Sequence, residues 1–342
     1  MVKIGKHLDL GPFPLLLAPM EDVSDPPFRA LCKQQGCDMM YTEFISVEGL
    51  IRDADKSVQK LDIYDEERPI GIQIFGSDQY SMEKAAGIVE GANPNVLDIN
   101  YGCPVKKVVC KLAGAGILQN IPLMIQLTEA IVKSTNLPVT VKTRLGWDEN
   151  SINIVEVAER LQDIGVQALS IHARTRKQLY KGEADWSYIA KVKENPRLHI
   201  PVFGNGDVDS PQKAKLYKDT YGVDGIMIGR ASIGYPWIFR EVKHYLQTGE
   251  LLAPPTLSER VDAAREHLRR SISWKGEKVG VVEMRRHYTN YFRGLPNIKH
   301  FRAQLVATMN PEELYDILDK ITAEYEGYEF GESNYELEEV IM

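Results

Sequence analysis

Residues 70–100 read IGIQIFGSDQYSMEKAAGIVEGANPNVLDIN and contain two short apolar runs separated by a helical pattern. The runs, Ile70–Gly76 and Val96–Asn100, are almost continuously apolar, which is typical of parallel strands buried on both faces. Asp78 stands where the N-cap of an intervening helix, Ser81–Glu90, is expected. This stretch therefore predicts a strand–helix–strand unit.

The same alternation continues on both sides of this unit. Six further apolar runs have the same character: Leu15–Met20, Met39–Ser46, Val139–Gly146, Ala168–Arg174, Ile200–Gly204 and Gly225–Arg230. Amphipathic segments lie between the runs, at Met124–Lys133, Asn153–Gln162 and Pro211–Tyr217. Eight strand–helix units within about 230 residues predict an α/β protein with a (β/α)8 TIM barrel, whose usual length is about 250 residues. A doubly wound sheet is the competing fold, but no GxGxxG motif follows the first strand.

Polar side chains follow the proposed strands at their C-terminal ends. They are Glu21, Glu43, Gln73, Asn100, Cys103, Lys142, Arg144, His172, Arg174, Asn205, Asp207 and Arg230. Because the active site of a barrel is built at the C-terminal ends of several strands, this distribution predicts an enzyme.

Only helical patterns follow the barrel. Leu251–Thr256 contains two consecutive prolines and is expected to be a linker. Helices are then predicted over Leu257–Ser273, capped by Ser258, over Gly280–Phe292 and over Pro311–Tyr325. We therefore expect a catalytic barrel domain over residues 1–250, a small all-helical domain over 256–325 and a mobile acidic tail over 326–342.

The net charge of −7 conceals two segments of opposite sign. Residues 256–310 carry eleven Lys and Arg against five Asp and Glu, whereas residues 311–342 carry one against eleven. A basic block of this kind is expected to face a polyanion, and a solvated helical face is the alternative.

The composition excludes several classes of protein. The 342 residues are 44% hydrophobic and 26% charged, as in an ordinary globular protein. No apolar run approaches the roughly 20 residues of a membrane span, and no long signal-peptide core is present. Four cysteines without CxxC spacing predict neither a disulfide framework nor a zinc site. We expect a cytoplasmic protein without a metal, a membrane contact or an obligate protein partner.

Two of the strand ends carry side chains suited to catalysis or charge neutralisation. Cys103, in DINYGCP, could donate a proton as a thiol, or act as a nucleophile if a cation lowered its pKa. The other cysteines are expected to be buried and inert. Lys142 ends the fifth strand among apolar residues, so it is expected to neutralise an anionic cofactor atom or a carboxylate, with a structural ion pair as the alternative.

Three further strand ends resemble anion sites. His172 is followed closely by Arg174, Arg176, Lys177 and Lys181, which favours an anion-facing loop over a core histidine. GNGD at residues 204–207 and GR at 229–230 follow the last two strands, where barrels frequently bind phosphate.

In combination and in order, these motifs resemble the tRNA-dihydrouridine synthases, closest to the bacterial B-type members, over residues 10–320. The segments that carry the resemblance are LLLAPMEDVSDPPFR, TEFIS, QIFG, DINYGCPVKKVV, KTRLGWD, HARTRKQLYKGEADW, GNGD and MIGRASIGYPWIF. The resemblance implies an FMN-dependent barrel that reduces the C5–C6 double bond of particular uridines in tRNA with NADPH or NADH, and a helical domain that binds tRNA.

The resemblance also implies roles for individual residues. Cys103 would be the proton donor. The residues implied to bind FMN are Ala18, Pro19, Met20, Gln73, Lys142, His172, Asn205, Gly206, Asp207, Gly229 and Arg230. Contacts to tRNA or its uridine are expected from Asn100, Arg144, Arg174, Arg176, Arg285, Arg286 and Arg293.

Two other functions compete with this interpretation. An FMN barrel that reduces a small unsaturated substrate would not need the basic helical domain. A tRNA-binding protein with a purely structural barrel would not need an intact set of Cys103, Lys142, His172 and GNGD.

Overall fold

The computed structural model describes residues 1–331, so residues 332–342 of the expected tail lie outside the described residues. The chain forms two compact units. We call Met1–Asp25, Cys37–Val208 and Ala214–Gly229 the barrel unit. Pro26–Gly36, Asp209–Lys213 and the described residues 230–331 form the helical unit. Residues 26–36 and 230–250 thus group with the helices, although the sequence suggested that they belong to the barrel domain.

The strands of residues 1–331 form one small hairpin and one large parallel sheet. β1 (Lys3–Ile4) and β2 (Leu8–Asp9) pair antiparallel ahead of the barrel. The parallel strands are β3 (Leu15–Leu17), β4 (Met40–Tyr41), β5 (Ile45–Ser46), β6 (Ile70–Phe75), β7 (Val96–Asn100), β8 (Val139–Arg144), β9 (Ala168–His172), β10 (Val202–Asn205) and β11 (Gly225–Ile228).

The parallel sheet has the strand order β3-β11-β10-β9-β8-β7-β6-β4, with β5 paired to β6. A parallel bridge between Leu16 and Met39 joins its two ends, and the Leu17 amide donates to the Met39 carbonyl over 3.0 Å. The predicted TIM barrel is therefore confirmed. All eight predicted runs contain strands, and Met39–Ser46 divides into the short strands β4 and β5.

Helices cover the barrel and make up most of the helical unit. Within residues 1–331 the α-helices are α1 (Pro26–Gln34), α2 (Val47–Leu50), α3 (Asp55–Gln59), α4 (Gln79–Gly91), α5 (Lys106–Val109), α6 (Ile121–Ser134), α7 (Ile154–Asp163), α8 (Ser187–Glu194), α9 (Pro211–Tyr221), α10 (Ile238–Thr248), α11 (Leu257–Lys275), α12 (Glu277–Tyr291), α13 (Lys299–Ala307) and α14 (Pro311–Glu324). Short 3-10 helices occupy Asp65–Glu67, Gly114–Gln119, Glu149–Ser151 and Arg230–Ser232.

Helix caps explain where several of these helices begin. Asp78 caps α4 as predicted, because its carboxylate accepts from the Ser81 amide. The predicted helix α11 is confirmed, but its predicted cap was wrong: Thr256, not Ser258, is its N-cap, in a capping box with Glu259. The sequence patterns also missed α10 and α13.

The core of the helical unit extends past the predicted end of the helical domain. Tyr328 and Phe330 pack against its apolar cluster. The Arg260 guanidinium lies 3.6 Å from the centroid of the Phe330 ring, and the Tyr328 hydroxyl donates to the Gly294 carbonyl over 2.9 Å. The first residues of the expected tail are therefore part of this packing.

Candidate active site

A chain of buried polar side chains connects β6 to the loop after β7. Gln73 Nε2 donates to Asp98 Oδ2 over 2.6 Å, and Asn100 Nδ2 donates to Gln73 Oε1 over 2.7 Å. Asn100 Oδ1 in turn accepts the backbone amides of Gly102 and Cys103 at 2.9 and 2.8 Å. Each amide orients the next, so the position of Cys103 is fixed from the barrel interior.

Cys103 lies almost buried at the carboxyl end of β7, with 7% of its surface exposed. Burial raises the pKa of its thiol, although the nearby Arg144 guanidinium opposes this effect. A raised pKa keeps the thiol protonated at neutral pH, which favours a proton donor over a nucleophile. Of the other cysteines, Cys32 and Cys37 are buried as expected, whereas Cys110 is exposed and that expectation was wrong.

Lys142 projects from β8 beside Asn205 of β10. Its ammonium donates to Asn205 Oδ1 over 3.3 Å, which is long for such a bond, while Asn205 Nδ2 donates to the Met227 carbonyl over 2.8 Å. Burial, with a further contribution from Arg144, lowers the pKa of Lys142 to about 8. A weakly engaged cation in this position can bind an anionic group.

The GNGD loop after β10 is held by its own backbone and by a buried ion pair. Gly206 has a φ of +124°, and a Cβ there would lie 2.9 Å from that of Ala184. Trp186 Nε1 donates to the Gly206 carbonyl over 3.0 Å. Asp207 accepts two bonds from the Arg174 guanidinium, at 2.8 and 2.7 Å. The loop therefore has one defined conformation.

The arginines at the ends of β8 and β9 donate to the protein's own carbonyl groups. Arg144 donates to the carbonyls of Gly102, Thr175 and Leu179 at 2.8, 3.2 and 2.9 Å. Arg176 donates to the Pro104 carbonyl over 3.3 Å and lies 4.8 Å above the Trp147 ring. Gly102 and Pro104 flank Cys103, so these two arginines fix the loop that carries Cys103. A direct contact to RNA from Arg144, Arg174 or Arg176 stays a prediction.

The sheet register brings the other expected residues of the barrel unit to the same end. Asn100 pairs with Lys142, Arg144 with His172, and His172 with Asn205 across adjacent strands. The buried residues Ala18 and Pro19 and the half-buried Met20 follow β3, which pairs with β11. A Cβ on Gly229, after β11, would lie 3.5 Å from that of Ala18.

Two buried or partly buried acids at this end of the barrel have raised pKa values. Burial raises the pKa of Asp98 to about 6. The sequence analysis did not single out this residue, although an acid inside an apolar strand is a recognisable signal. Burial likewise raises the pKa of Glu43 to about 7, against the opposing charge of Lys60. Glu43 lies within 4.8 Å of Glu21 and Asp22, and the Lys60 ammonium lies 2.6 Å from Glu21.

The basic residues of the helical unit differ in their surroundings. Arg269 and Arg270 both bind Glu266, and the hydrogen bond from Arg269 is the main reason that the pKa of Glu266 falls to about 2.

Arg286 is exposed on α12, and Arg285 contacts the Met309 sulfur at 3.1 Å. Arg293 donates to Asn290, and Arg230 is exposed. The aromatic residues Tyr288, Tyr291 and Phe292, which lie between Arg286 and Arg293 in the sequence, are buried in the core.

None of the helices in residues 1–331 combines the length and apolar character that crossing a membrane requires.

Comparison with known proteins identifies the family of this chain. The family model described as dihydrouridine synthase (Dus) matches residues 16–326. The tRNA-dihydrouridine synthase B of Pseudomonas aeruginosa is 41% identical over 304 residues, which cover 89% of this chain and 90% of that protein. The tRNA-dihydrouridine synthase B of Shewanella oneidensis is 38% identical, over 91% of this chain and 97% of its own.

Solved structures agree on the fold at low sequence identity. The 6-hydroxypseudooxynicotine amine oxidase of Pseudomonas geniculata matches 77% of this chain and 51% of its own, with a TM-score of 0.55 and 12% identity. A mutant of morphinone reductase in complex with tetrahydroNAD matches 74% of this chain and 92% of its own, with a TM-score of 0.51 and 11% identity. At such identities the likeness concerns the fold alone. The family match spans most of the chain, so the protein belongs to the dihydrouridine synthase family.

Proposed function

We propose that this chain reduces the C5–C6 double bond of particular uridines in tRNA to 5,6-dihydrouridine, using bound FMN and NADPH or NADH as the reductant. The observation that carries the proposal is the buried position of Cys103 at the carboxyl end of the barrel, where its backbone amide donates to Asn100 Oδ1. Relatives with this enzyme name cover most of the chain. The site of action would be the cytoplasm.

The side chains at the barrel mouth fit FMN. Lys142 is a half-buried ammonium with one long hydrogen bond, so it can bind the electron-rich edge of the isoalloxazine, beside His172. Gln73 and the backbone of Ala18, Pro19 and Met20 would contact the ring. The groups of the last two strand ends suit a phosphate: the Arg230 guanidinium and the backbone amides of Gly206, Asp207 and Gly229 can donate to it, with Asn205 beside them.

The chemistry divides between the flavin and the protein. Reduced FMN would supply a hydride to C6 of the uracil. The chain's own task is to supply the proton at C5, and the Cys103 thiol can donate it because burial keeps it protonated. Arg144 is close enough to favour the resulting thiolate, and solvent then restores the proton.

A stacked uridine inside folded tRNA cannot enter a barrel, so the base has to turn out of the stack at a cost of about a few kcal/mol. We propose that phosphate contacts of the helical unit offset this cost, with Arg285, Arg286 and Arg293 as the candidates. Asn100, Arg144, Arg174 and Arg176 remain candidates on the barrel unit. The buried aromatics of α12 are not available for stacking on bases.

The competing function is reduction of a small unsaturated or pyrimidine compound without RNA. To separate the two, the flavin-loaded protein is incubated with NADPH and either unmodified tRNA or free uridine, and the nucleosides are analysed by mass spectrometry. We expect dihydrouridine only with tRNA. Equal turnover of free uridine, or no reduction of tRNA by protein that does oxidise NADPH, would contradict the proposal.

A further inference from the structure

Asp98 lies in the middle of β7, inside the barrel, and both of its carboxylate oxygens accept hydrogen bonds. Gln73 Nε2 donates to Oδ2 over 2.6 Å, and Thr140 Oγ1 donates to Oδ1 over 2.5 Å. Only 1% of Asp98 is exposed, so water does not compete for these bonds. The carboxylate is therefore fixed between its neighbours on β6 and β8.

Asp98 can only accept hydrogen bonds while it is ionised. Burial raises its pKa to about 6, and the bonds from Gln73 and Thr140 and the charge of Lys142 oppose this rise, so that the group is a carboxylate at neutral pH. Burial also raises the pKa of the nearby Tyr41 well above its usual value, so that hydroxyl stays neutral. An acceptor with no hydrogen of its own admits only donors on both sides.

Asp98, Gln73 and Asn100, which we call the buried amide network, have one direction of hydrogen bonding from end to end. Because Gln73 presents its NH2 group to Asp98, its carbonyl oxygen is left to accept from Asn100 Nδ2, over 2.7 Å. Asn100 then offers its own carbonyl oxygen to the Gly102 and Cys103 amides. Those backbone amides can only donate, so both ends of the network require the same orientation of the two side-chain amides.

A reversed side-chain amide would release Cys103 from this network. If Asn100 turned its NH2 group toward the loop, that group would face the Gly102 and Cys103 amides as donor against donor. A side-chain amide has nearly the same shape in both orientations, so packing does not choose between them. The choice falls to the hydrogen-bond partner at the far end of the network, which is the carboxylate.

We propose that Asp98 is a positioning residue for the proton transfer: its carboxylate sets the orientation of the Gln73 and Asn100 side-chain amides and thereby holds the loop that carries Cys103. The inference rests on the proposed function, because it takes Cys103 as the proton donor. All of these residues belong to the barrel unit.

The first test measures alkylation of Cys103 by iodoacetamide in the full-length, flavin-loaded protein, with the labelled peptide quantified by mass spectrometry. Asp98→Asn brings two hydrogens to a place where both neighbours donate, so only one of the two bonds can keep its direction. We expect Cys103 to be alkylated about tenfold faster, as for the loss of about one buried hydrogen bond. An alkylation rate equal to that of the wild type would overturn the inference.

Two variants control for the loss of a buried hydrogen bond as such. Thr140→Val removes the other bond of Asp98 but leaves the carboxylate against Gln73. Tyr101→Phe removes the 2.9 Å bond between the Tyr101 hydroxyl and Thr128 Oγ1, which lies outside the network although Tyr101 directly precedes Gly102. Alkylation should stay close to the wild-type rate in both. If both matched Asp98→Asn, general loosening rather than amide orientation would expose Cys103, contrary to the proposal.

A double-mutant cycle shows whether Asp98 acts through Asn100. Asn100→Ala removes the acceptor of the Cys103 amide and should itself accelerate alkylation. In that background Asp98→Asn should add nothing, because the orientation that Asp98 sets no longer reaches the loop. An equal acceleration in both backgrounds would assign the effect to the lost charge, which also acts on Lys142, and would contradict the proposal. Unchanged alkylation in Asn100→Ala would contradict it as well.

Turnover gives the functional readout. Asp98→Asn should lower the rate of uridine reduction per bound flavin about tenfold, and in a Cys103→Ala background it should lower the residual rate no further. Equal losses in both backgrounds would show that Asp98 acts independently of Cys103. If the wild-type protein forms no dihydrouridine, the proposed function fails, whereas the alkylation rates still decide whether Asp98 positions Cys103.

Discussion

The barrel mouth and the helical unit both present many polar groups, but they use them differently. At the barrel mouth, Gln73, Asp98 and Asn100 are buried, and each has a defined partner that leads to Cys103. On the helical unit, Arg269 and Arg286 are exposed on helix surfaces, where the first binds Glu266. Chemistry that depends on geometry is thus concentrated in the barrel, whereas attraction of a polyanion can be spread over a surface.

The largest effect is expected from Cys103. Cys103→Ala should reduce the rate of uridine reduction by about 10²- to 10⁴-fold, because it removes the proton donor. FMN content, measured from the absorption spectrum, should stay at the wild-type level. Cys110→Ala, which changes an exposed cysteine, is the matched control and should be fully active. Wild-type turnover by Cys103→Ala would remove Cys103 from the acid role.

The buried pair of Arg174 and Asp207 gives the next largest effect. Removing one partner with Arg174→Ala leaves a carboxylate without its two guanidinium bonds, so the free energy of unfolding should fall by about 3–5 kcal/mol. Lys133→Ala breaks an exposed pair of similar length, Lys133–Glu129 at 2.6 Å, and should cost less than about 1 kcal/mol. Urea denaturation measures both. Similar losses would show that the GNGD loop is not held by this pair.

Arg285 and Arg286 provide a test of RNA binding by the helical unit. Reversing charge at Arg285 and Arg286 should weaken tRNA binding about tenfold or more and reduce its salt dependence, because phosphate contacts release counterions. The same change at Arg269 and Arg270 should have a smaller effect, since Glu266 already offsets their charge. Filter binding at several salt concentrations measures both. Equal effects would mean that pairing with Glu266 does not matter for RNA binding.

The smallest expected effect is a dependence of stability on pH. The pKa of His287 is lowered in the folded protein, mainly by burial and then by His267, so the unfolded chain binds this proton more readily. The contribution of His287 to stability is therefore complete above its unfolded pKa of about 6.5 and declines as the pH falls below that, by up to about 1.4 kcal/mol per pH unit.

The measurement is the midpoint of urea unfolding, followed by the circular dichroism of the helices, between pH 7 and pH 5. His287→Gln should flatten the dependence on pH, and His300→Gln, at an exposed histidine, should not. A wild-type slope in His287→Gln would show that other groups are responsible.

The barrel was predictable because its strands are buried on both faces. Runs such as IGIQIF stand out from the helices between them, and the polar residue that ends each run has to lie at one rim. The direction of side chains at that rim was not predictable. Arg144 ends β8 and Arg174 follows β9, so both lie near the same rim as Lys142 of β8, yet their guanidinium groups bind protein carbonyls and Asp207.

The helical unit was harder to predict, because its packing brings distant parts of the chain together. Phe28 lies on α1, directly after strand β3, and packs on His267 and His287. No local sequence pattern reveals that α1 groups with the C-terminal helices. Thr256 and Ser258 are both acceptable caps by type. Only the reciprocal bonds with Glu259 identify Thr256 as the cap.

The measurement that tests the central claim most directly uses a host strain that lacks dihydrouridine in its tRNA. This chain is expressed in it, and the tRNA nucleosides are analysed by mass spectrometry and mapped. We expect dihydrouridine at one or a few positions with the wild-type chain and none with Cys103→Ala, both proteins being isolated with FMN. Absence of dihydrouridine with the flavin-loaded wild-type chain, or equal amounts with Cys103→Ala, would contradict the account.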